Sequence, residues 1–290
     1  MDEKRTMTLM GPSGSGKTSL MRNIAGFDTP DSGRILIDGE DVTRMPVNKR
    51  NVGMIFQELA LFPNMSVFDN IAYGLKSKRL AESEIRHVVN SLASSLRIES
   101  LLTRRPHQLS AGERQRTALA RSVAVEPRLL LLDEPFSSVD SHLRIELRSE
   151  LKRFASEFGL TMMFVTHDSR EGFYMADDVC VIDEGLIIRK DTPFGVFNNP
   201  GSEQVATLIG YNVMLLNGKK IAFSPSKAKI SEEGGIPVTI VSSGYEGEQT
   251  RVAVRTDSGQ TINVYADSGT HTYDQGKSFS LVIENYVVIE

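Results

Sequence analysis

The chain has 290 residues, enough at about 150 per domain for roughly two domains. Hydrophobic residues at 40% and charged residues at 24% exclude a globally disordered chain, and one cysteine excludes a disulfide-built secreted scaffold. A net charge of −4 gives no support to general nucleic-acid affinity, and no uncharged apolar run approaches the ~18 residues of a membrane span. The mixed-charge start, Met1 to Arg5, is not a signal peptide, so the expected compartment is the cytoplasm, with any membrane role coming through a partner.

In chain order, Thr6 to Met10 alternates and meets a glycine-rich loop, the pattern of a short strand feeding a turn. Ser19 to Ile24 has helical spacing, and Ile35-Leu36-Ile37 and Asn51 to Phe56 read as strands. Leu75 to Leu102 is rich in helix formers, and a helical segment is expected at about 66–125, inserted between strands. Leu129 to Leu132 is a fully buried strand by length and composition. Ser141 to Glu157 reads as an amphipathic helix, and Met162 to Thr166 and Val179 to Asp183 as further buried strands. The alternation predicts an α/β domain with a mostly parallel sheet. After a breaker at Asn198-Asn199-Pro200-Gly201 and one short helix, the texture changes near Gly210. Asn217-Gly218 between apolar runs is a hairpin signal, and four alternating segments follow between Val238 and Ile283. The expected division is an α/β domain over 1–210 and a small all-β domain over 211–290, a barrel or sandwich.

The chemistry lies in three places. Gly11-Pro12-Ser13-Gly14-Ser15-Gly16-Lys17-Thr18 is a full match to G-x-x-x-x-G-K-[ST]. Its glycines let the backbone amides curl inward, and with the following helix N-terminus they form a phosphate nest. Lys17 is expected at the β- and γ-phosphates, the Thr18 hydroxyl on Mg²⁺, and Ser19 completes the nucleotide-binding stretch. Leu129 to Leu132 ends in Asp133-Glu134. Alone this pair would be a solvated strand end. Beside a phosphate loop, it places acids where ligands bind in open α/β sheets: Asp133 on Mg²⁺ through water, Glu134 as general base. Ser110-Ala111-Gly112-Glu113 reads as a helix N-cap, and a helix N-terminus is an anion site. Cys180 sits in a predicted buried strand, and the five histidines show no ligand spacing.

Leu109-Ser110-Ala111-Gly112-Glu113-Arg114-Gln115 resembles the signature sequence of ATP-binding-cassette (ABC) ATPases, and Ser110 lies 23 residues before Asp133, as in that family. Gln57 resembles the family's Q-loop glutamine, Ser137-Ser138-Val139-Asp140 its D-loop, and Val165-Thr166-His167-Asp168 its switch-histidine motif. The resemblance covers about residues 6–210 and, more weakly, 212–290. It implies a P-loop NTPase fold, a RecA-like core with a helical subdomain, followed by an OB-like TOBE domain. It implies ATP and Mg²⁺ as cofactors, with Thr18, Gln57 and Asp133 around the metal and Glu134, His167 and Gln57 as the catalytic set. It further implies a head-to-tail pair, a homodimer or one with a second cassette, in which Ser110, Ala111, Gly112 and Glu113 of one copy face the γ-phosphate held by the other, with Asp140 in the D-loop.

Two departures carry expectations. Ala111 replaces a glycine, at a cost of roughly 1 kcal/mol if that position needs φ > 0. Ten residues precede Gly11 and none is aromatic, whereas family members carry a longer lead with an adenine-stacking aromatic. Either the start is mis-assigned, or the chain is truncated, or adenine is held otherwise, and no stacking residue is assigned.

Glu58 to Leu75 resembles the segment after the Q-loop in bacterial and archaeal importers, and Pro193 to Asn212 resembles their entry into the TOBE domain. The 53-residue spacing from Gln57 to Ser110 has no room for a coiled-coil insertion. Residues 212–290 carry 7 Lys and Arg against 9 Asp and Glu, so no basic groove for nucleic acid is evident. The reading is the ATP-hydrolysing subunit of a binding-protein-dependent importer at the cytoplasmic face of the membrane. Its expected partners are integral-membrane permease subunits and an extracytoplasmic solute-binding protein, with no nucleic acid. The alternatives are a soluble ABC ATPase acting on nucleic acid or ribosomes, and a truncated nucleotide-binding structural subunit.

Overall fold

The computed structural model describes residues 1–137, 139–267 and 273–289. Its contacts divide the chain into two units, Met1–Thr192 and Pro193–Glu290.

The first unit opens with strand β1 (Thr6–Met10), helix α1 (Lys17–Ala25), the hairpin β2 (Leu36–Ile37) and β3 (Glu40–Asp41), and strand β4 (Val52–Ile55). Helices α2 (Val67–Ser77), α3 (Glu82–Ser95) and α4 (Ala111–Val123) follow, then β5 (Leu129–Asp133), α5 (Ser141–Glu157), β6 (Met162–Val165), α6 (Ser169–Met175), β7 (Asp178–Asp183) and β8 (Leu186–Asp191). The main sheet runs β4-β5-β6-β1-β7-β8, parallel except for β8.

The leucine run explains the layering. Leu129 and Leu131 pack with Met7, Leu9, Met21 and Ala25, so one face is covered by α1. Leu130 and Leu132 point the other way, into a core with Phe164, Ala118, Leu147 and Phe154 from the helical face. A strand buried on both faces has no polar alternation, which is why it reads as a continuous apolar run. The helical stretch between β4 and β5 is several helices because the backbone turns between them. Arg79 adopts φ 59 just after α2, and Glu84 Oε2 then accepts the Ala81 N–H at 3.0 Å to start α3. Helix α6 and strand β8 carried too short a periodic pattern to be read from sequence.

In the second unit, α7 (Pro193–Asn198) and α8 (Glu203–Leu208) precede β9 (Asn212–Leu216), β10 (Lys219–Phe223), β11 (Ala228–Ser231), β12 (Ile236–Glu246), β13 (Gln249–Thr256), β14 (Thr261–Asp267), β15 (Ser278–Ile283) and β16 (Val287–Val288). They form an antiparallel five-stranded sheet, β11-β15-β12-β13-β14, and a three-stranded sheet, β16-β10-β9. Strands β11 and β14, at the two edges of the larger sheet, approach each other. Met214, Ile221 and Phe223 of the smaller sheet join Val238, Ile240, Val252 and Val264 in one core, the packing of a small OB-like module. Asn217 and Gly218 adopt φ 51 and 75 in the turn of the expected β9–β10 hairpin. The unit begins earlier than the texture change near Gly210. Ala206 of α8 packs with Ala222 and Ile289, and the Tyr211 hydroxyl donates to the Phe197 carbonyl at 2.7 Å, so both short helices belong to the β-rich unit.

Candidate nucleotide site

Strand register brings the sequence motifs to one edge of the main sheet. Ile55 pairs with Leu132, Asp133 with Val165, and Val165 with Leu9. The residues that follow those strands, Gln57, Glu134, Thr166-His167 and Gly11, therefore emerge at the same carboxyl edge, where open α/β sheets bind ligands.

The glycine loop closes tightly. Gly14 and Gly16 adopt φ 82 and 98, and Gly16 is the N-cap of α1, with no capping side chain and no acid in the first turn. Ser15 N–H donates to the Pro12 carbonyl at 3.3 Å, and Gly185 N–H donates to the Ser15 carbonyl at 3.1 Å. A Cβ on Gly11 would collide with the Ile182 carbonyl oxygen, so only glycine fits there. The buried Lys17 ammonium spans the loop and donates to the carbonyls of Gly11 (2.9 Å) and Pro12 (2.7 Å). Burial lowers its pKa, while the nearby Glu134 and Asp133 carboxylates oppose that shift. The cradle thus holds one partly desolvated cation beneath open helix amides, with acids beside it.

Asp133 is half-buried, and its pKa is raised by burial first and by the Glu134 charge second. The Thr18 hydroxyl bonds to its carboxylate, and the Lys17 charge also pulls the pKa down. This donor set fits Mg²⁺, which takes one or two hard oxygen ligands from protein and fills its octahedron with water and substrate phosphate. Among the described residues no group of three or more His, Cys, Asp or Glu could hold a metal ion by itself.

Glu134 sits in the left-handed region at φ 45, a strained conformation for this residue type. It is held there from several sides. Its N–H donates to the Val165 carbonyl at 3.0 Å, and its own carbonyl accepts from both the N–H (3.1 Å) and the hydroxyl (3.0 Å) of Ser137. The intervening Phe136 is buried against Phe164, with ring centroids 5.9 Å apart. The result is that Glu134 Oε1 lies 3.1 Å from His167 Nδ1. The His167 side chain is 65% exposed, so the ring is accessible to a ligand from solvent.

The remaining motif residues lie apart from this group. Gln57 borders a cleft of 350 Å³ with Ala111, Arg114 and Val139, rather than a described contact with Thr18 or Asp133. Ser110 caps α4: its hydroxyl accepts the Glu113 N–H at 3.3 Å, and Glu113 Oε2 accepts the Ser110 N–H at 2.7 Å. That bond, chiefly, holds the Glu113 carboxyl below its usual pKa. Ala111 is the first helical residue of α4 and lacks a positive φ, so the cost weighed for a left-handed alanine is not incurred. Asp140 is the N-cap of α5 and accepts the Leu143 N–H at 3.0 Å, while Ser138 of the same motif lies outside the described residues. Sequence reasoning missed Gly185 at the cradle and Glu171 beneath Thr166. Neither carries a spacing signal, because each reaches the site through the fold; Ser137 was singled out only as part of the D-loop, not as the support under Glu134.

Both units are similar to known proteins. A model of the ABC transporter family matches residues 1–137, and one of the TOBE domain matches residues 220–287. The sulfate/thiosulfate import ATP-binding protein CysA of Pseudomonas aeruginosa is 46% identical over 231 residues, covering 78% of this chain and 70% of that protein. The spermidine/putrescine import ATP-binding protein PotA of Thermotoga maritima is 38% identical over 312 residues, covering 92% and 84%. Among solved structures, the ATP-binding cassette MJ0796, in a dimeric post-hydrolysis state bound to ADP and Pi, superposes with a TM-score of 0.58 at 27% identity, covering 67% of this chain and 87% of that one. A nucleotide cradle, a strained acid beside an accessible histidine, and relatives aligned across both units lead to one conclusion: the chain belongs to the ABC transporter family, as an ATP-hydrolysing ATP-binding subunit with a C-terminal TOBE domain.

Proposed function

We propose that the chain is the ATPase subunit of a binding-protein-dependent importer, and that Glu134 is its general base. The contact between Glu134 and His167 carries this reading. A carboxylate at the tip of a buried strand, next to a cradle for phosphate, is in place to take a proton from water attacking the γ-phosphate. Donation from His167 Nδ1–H would orient that carboxylate and leave Nε2 free toward the γ-phosphate. Lys17 and the loop amides from Gly11 to Ser19 bind the β- and γ-phosphates. Thr18 and Asp133, with Gln57 closing from the β4 side, would hold Mg²⁺, which neutralises developing charge on the phosphates when bound.

One chain has one cradle and one signature helix. Among the described residues the bonds of Ser110 close on Glu113 and Arg114 of its own helix, and none reaches the cradle of the same chain. The N-terminus of α4, residues Ser110 to Glu113, would then meet the γ-phosphate bound across a two-fold axis, with Asp140 at the seam. ATP contacting both copies favours closure, and hydrolysis removes that differential contact.

No helix among the described residues is long and apolar enough to cross a membrane. Coupling to transport therefore runs through permease subunits at the cytoplasmic face, with an extracytoplasmic binding protein delivering solute. The relatives named above are import proteins for sulfate/thiosulfate and for spermidine/putrescine, solutes of opposite charge. This supports placing solute choice with those partners rather than with this chain. The test is Glu134→Gln. ATP hydrolysis should fall by about 10²–10⁴-fold with nucleotide binding retained, and hydrolysis at the unaltered rate would overturn the assignment.

A further inference from the structure

Resting on the assignment of Glu134 and His167 above, we propose that Glu171 is a positioning residue for hydrolysis: through the Thr166 hydroxyl it holds the turn that presents His167 to Glu134.

Glu171 is a carboxylate at 4% exposure, one of the few charged side chains buried in the chain. Burying a charge is expensive unless a partner compensates it. The nearest cation is poorly placed for that task. Arg144 Nε stands 4.0 Å from Glu171 Oε1, beyond hydrogen-bonding range, and neither atom has another hydrogen-bond partner. Burial accordingly pushes the Glu171 carboxyl above its usual pKa. For stability alone, an apolar or amide side chain would serve better at this position.

The bond that Glu171 does make is directed at the site. Its Oε2 accepts the Thr166 hydroxyl at 2.7 Å. The same Thr166 oxygen accepts the Asp168 N–H at 3.1 Å. Asp168 in turn accepts the Arg170 and Glu171 N–H groups at 2.9 and 3.2 Å, as the N-cap of α6. These bonds tie together the neighbours of His167 on both sides while leaving its ring exposed. Helix α6 is itself seated on β1. The Thr8 hydroxyl donates to the Gly172 carbonyl at 3.1 Å, and a Cβ on Gly172 would approach the Met10 sulfur to 2.5 Å. Glu171 is thus anchored to the central strand and reaches the turn from a fixed base. A 50 Å³ cavity bordered by Glu134, His167, Arg144 and Glu171 completes the juxtaposition. Loosening this support would leave the nucleotide cradle intact and misplace only the groups that orient water.

The experiment compares Glu171→Leu, Glu171→Gln and Thr166→Val in the full chain, reading kcat for ATP hydrolysis and nucleotide affinity separately, with Glu134→Gln alongside. A displacement of about 1 Å at a reacting group costs on the order of 10²-fold. Glu171→Leu and Thr166→Val should therefore lower kcat by about 10- to 100-fold with ATP affinity within about 2-fold. Glu171→Gln keeps an oxygen that can accept the Thr166 hydroxyl, and should retain kcat within about 3-fold. Unaltered kcat in Thr166→Val would overturn the proposal, as would a loss in Glu171→Gln equal to that in Glu171→Leu. If Glu171→Leu fails to fold, the other two variants decide. Hydrolysis by Glu134→Gln at the normal rate would instead sink the general-base reading. An inactive Glu134→Gln beside a fully active Thr166→Val would sink this inference alone.

Discussion

The N-terminus of α1 and that of α4 are both cast as anion sites, yet they are built in opposite ways. Helix α1 starts behind Gly16 at φ 98, with no capping side chain and no acid in its first turn. Helix α4 starts behind Ser110 in a closed capping box with Glu113. The first terminus leaves donors unsatisfied and adds a buried ammonium, so it gains most from a bound phosphate. The second bonds its Ser110 and Glu113 N–H groups locally and carries a carboxylate, so fewer of its donors are left for a ligand. Anion affinity therefore concentrates in the cradle, and in the closed pair proposed above α4 would supply position more than charge.

The largest expected effect tests the cradle. Lys17→Ala removes the cation lying near Asp133 and Glu134, and charge-assisted bonds to phosphate contribute about 1.5–3 kcal/mol each. ATP affinity should drop by about 100-fold or more in a titration with a fluorescent nucleotide. Affinity preserved within about 3-fold would mean that the amides alone suffice, and would break the contrast.

Next come the glycines of the two motifs. Gly11→Ala forces a collision with the Ile182 carbonyl and should lower stability by about 1–3 kcal/mol, seen as a drop in melting temperature. At Gly112 the added methyl would sit 3.5 Å from Leu143, an ordinary contact, and α4 gains an alanine in its first turn. Gly112→Ala should leave the isolated chain's stability within about 1 kcal/mol of the parent. Equal losses at both positions would show that α4 is as tightly built as the loop.

Ser110→Ala opens the capping box and should cost about 1 kcal/mol of unfolding free energy.

The smallest effects concern pH, and they differ in sign. Glu113 has a depressed pKa in the folded chain, chiefly from the Ser110 N–H. Its contribution to stability is present above the ordinary Glu pKa of about 4.3 and is lost as pH falls through the lower folded value. Asp133 has a raised folded pKa, mainly from burial. It opposes folding at neutral pH, and the penalty is relieved as pH falls through the folded value toward the ordinary Asp pKa of about 3.9. Asp133→Asn should thus raise the melting temperature in Mg²⁺-free buffer, and Glu113→Gln should lower it at pH 7. A melting temperature lowered by Asp133→Asn would contradict the desolvated state of that acid.

Much of the first unit was legible because its signals are local. The glycine loop, the leucine run and the amphipathic α5 each declare themselves within a few residues, and all three stand where expected. Helix α6 was not legible: seven residues give two turns, too few for a period to show. The contact boundary at Thr192/Pro193 lies ahead of the texture change near Gly210 for a related reason. Helices α7 and α8 have six residues each, and their allegiance rests on Ala206 meeting Ala222 and Ile289 far along the chain.

Sequence alone determined the family and the fold class, and it carried the glycine loop and the Asp133-Glu134 pair as contiguous residues at set spacing. Only the tertiary structure decided that Ala111 is helical and unstrained, that Glu134 is held at φ 45, and that Glu171 supports the His167 turn from beneath. Those facts depend on strand register and on side chains meeting across the sheet, where distance along the chain carries no information about distance in space.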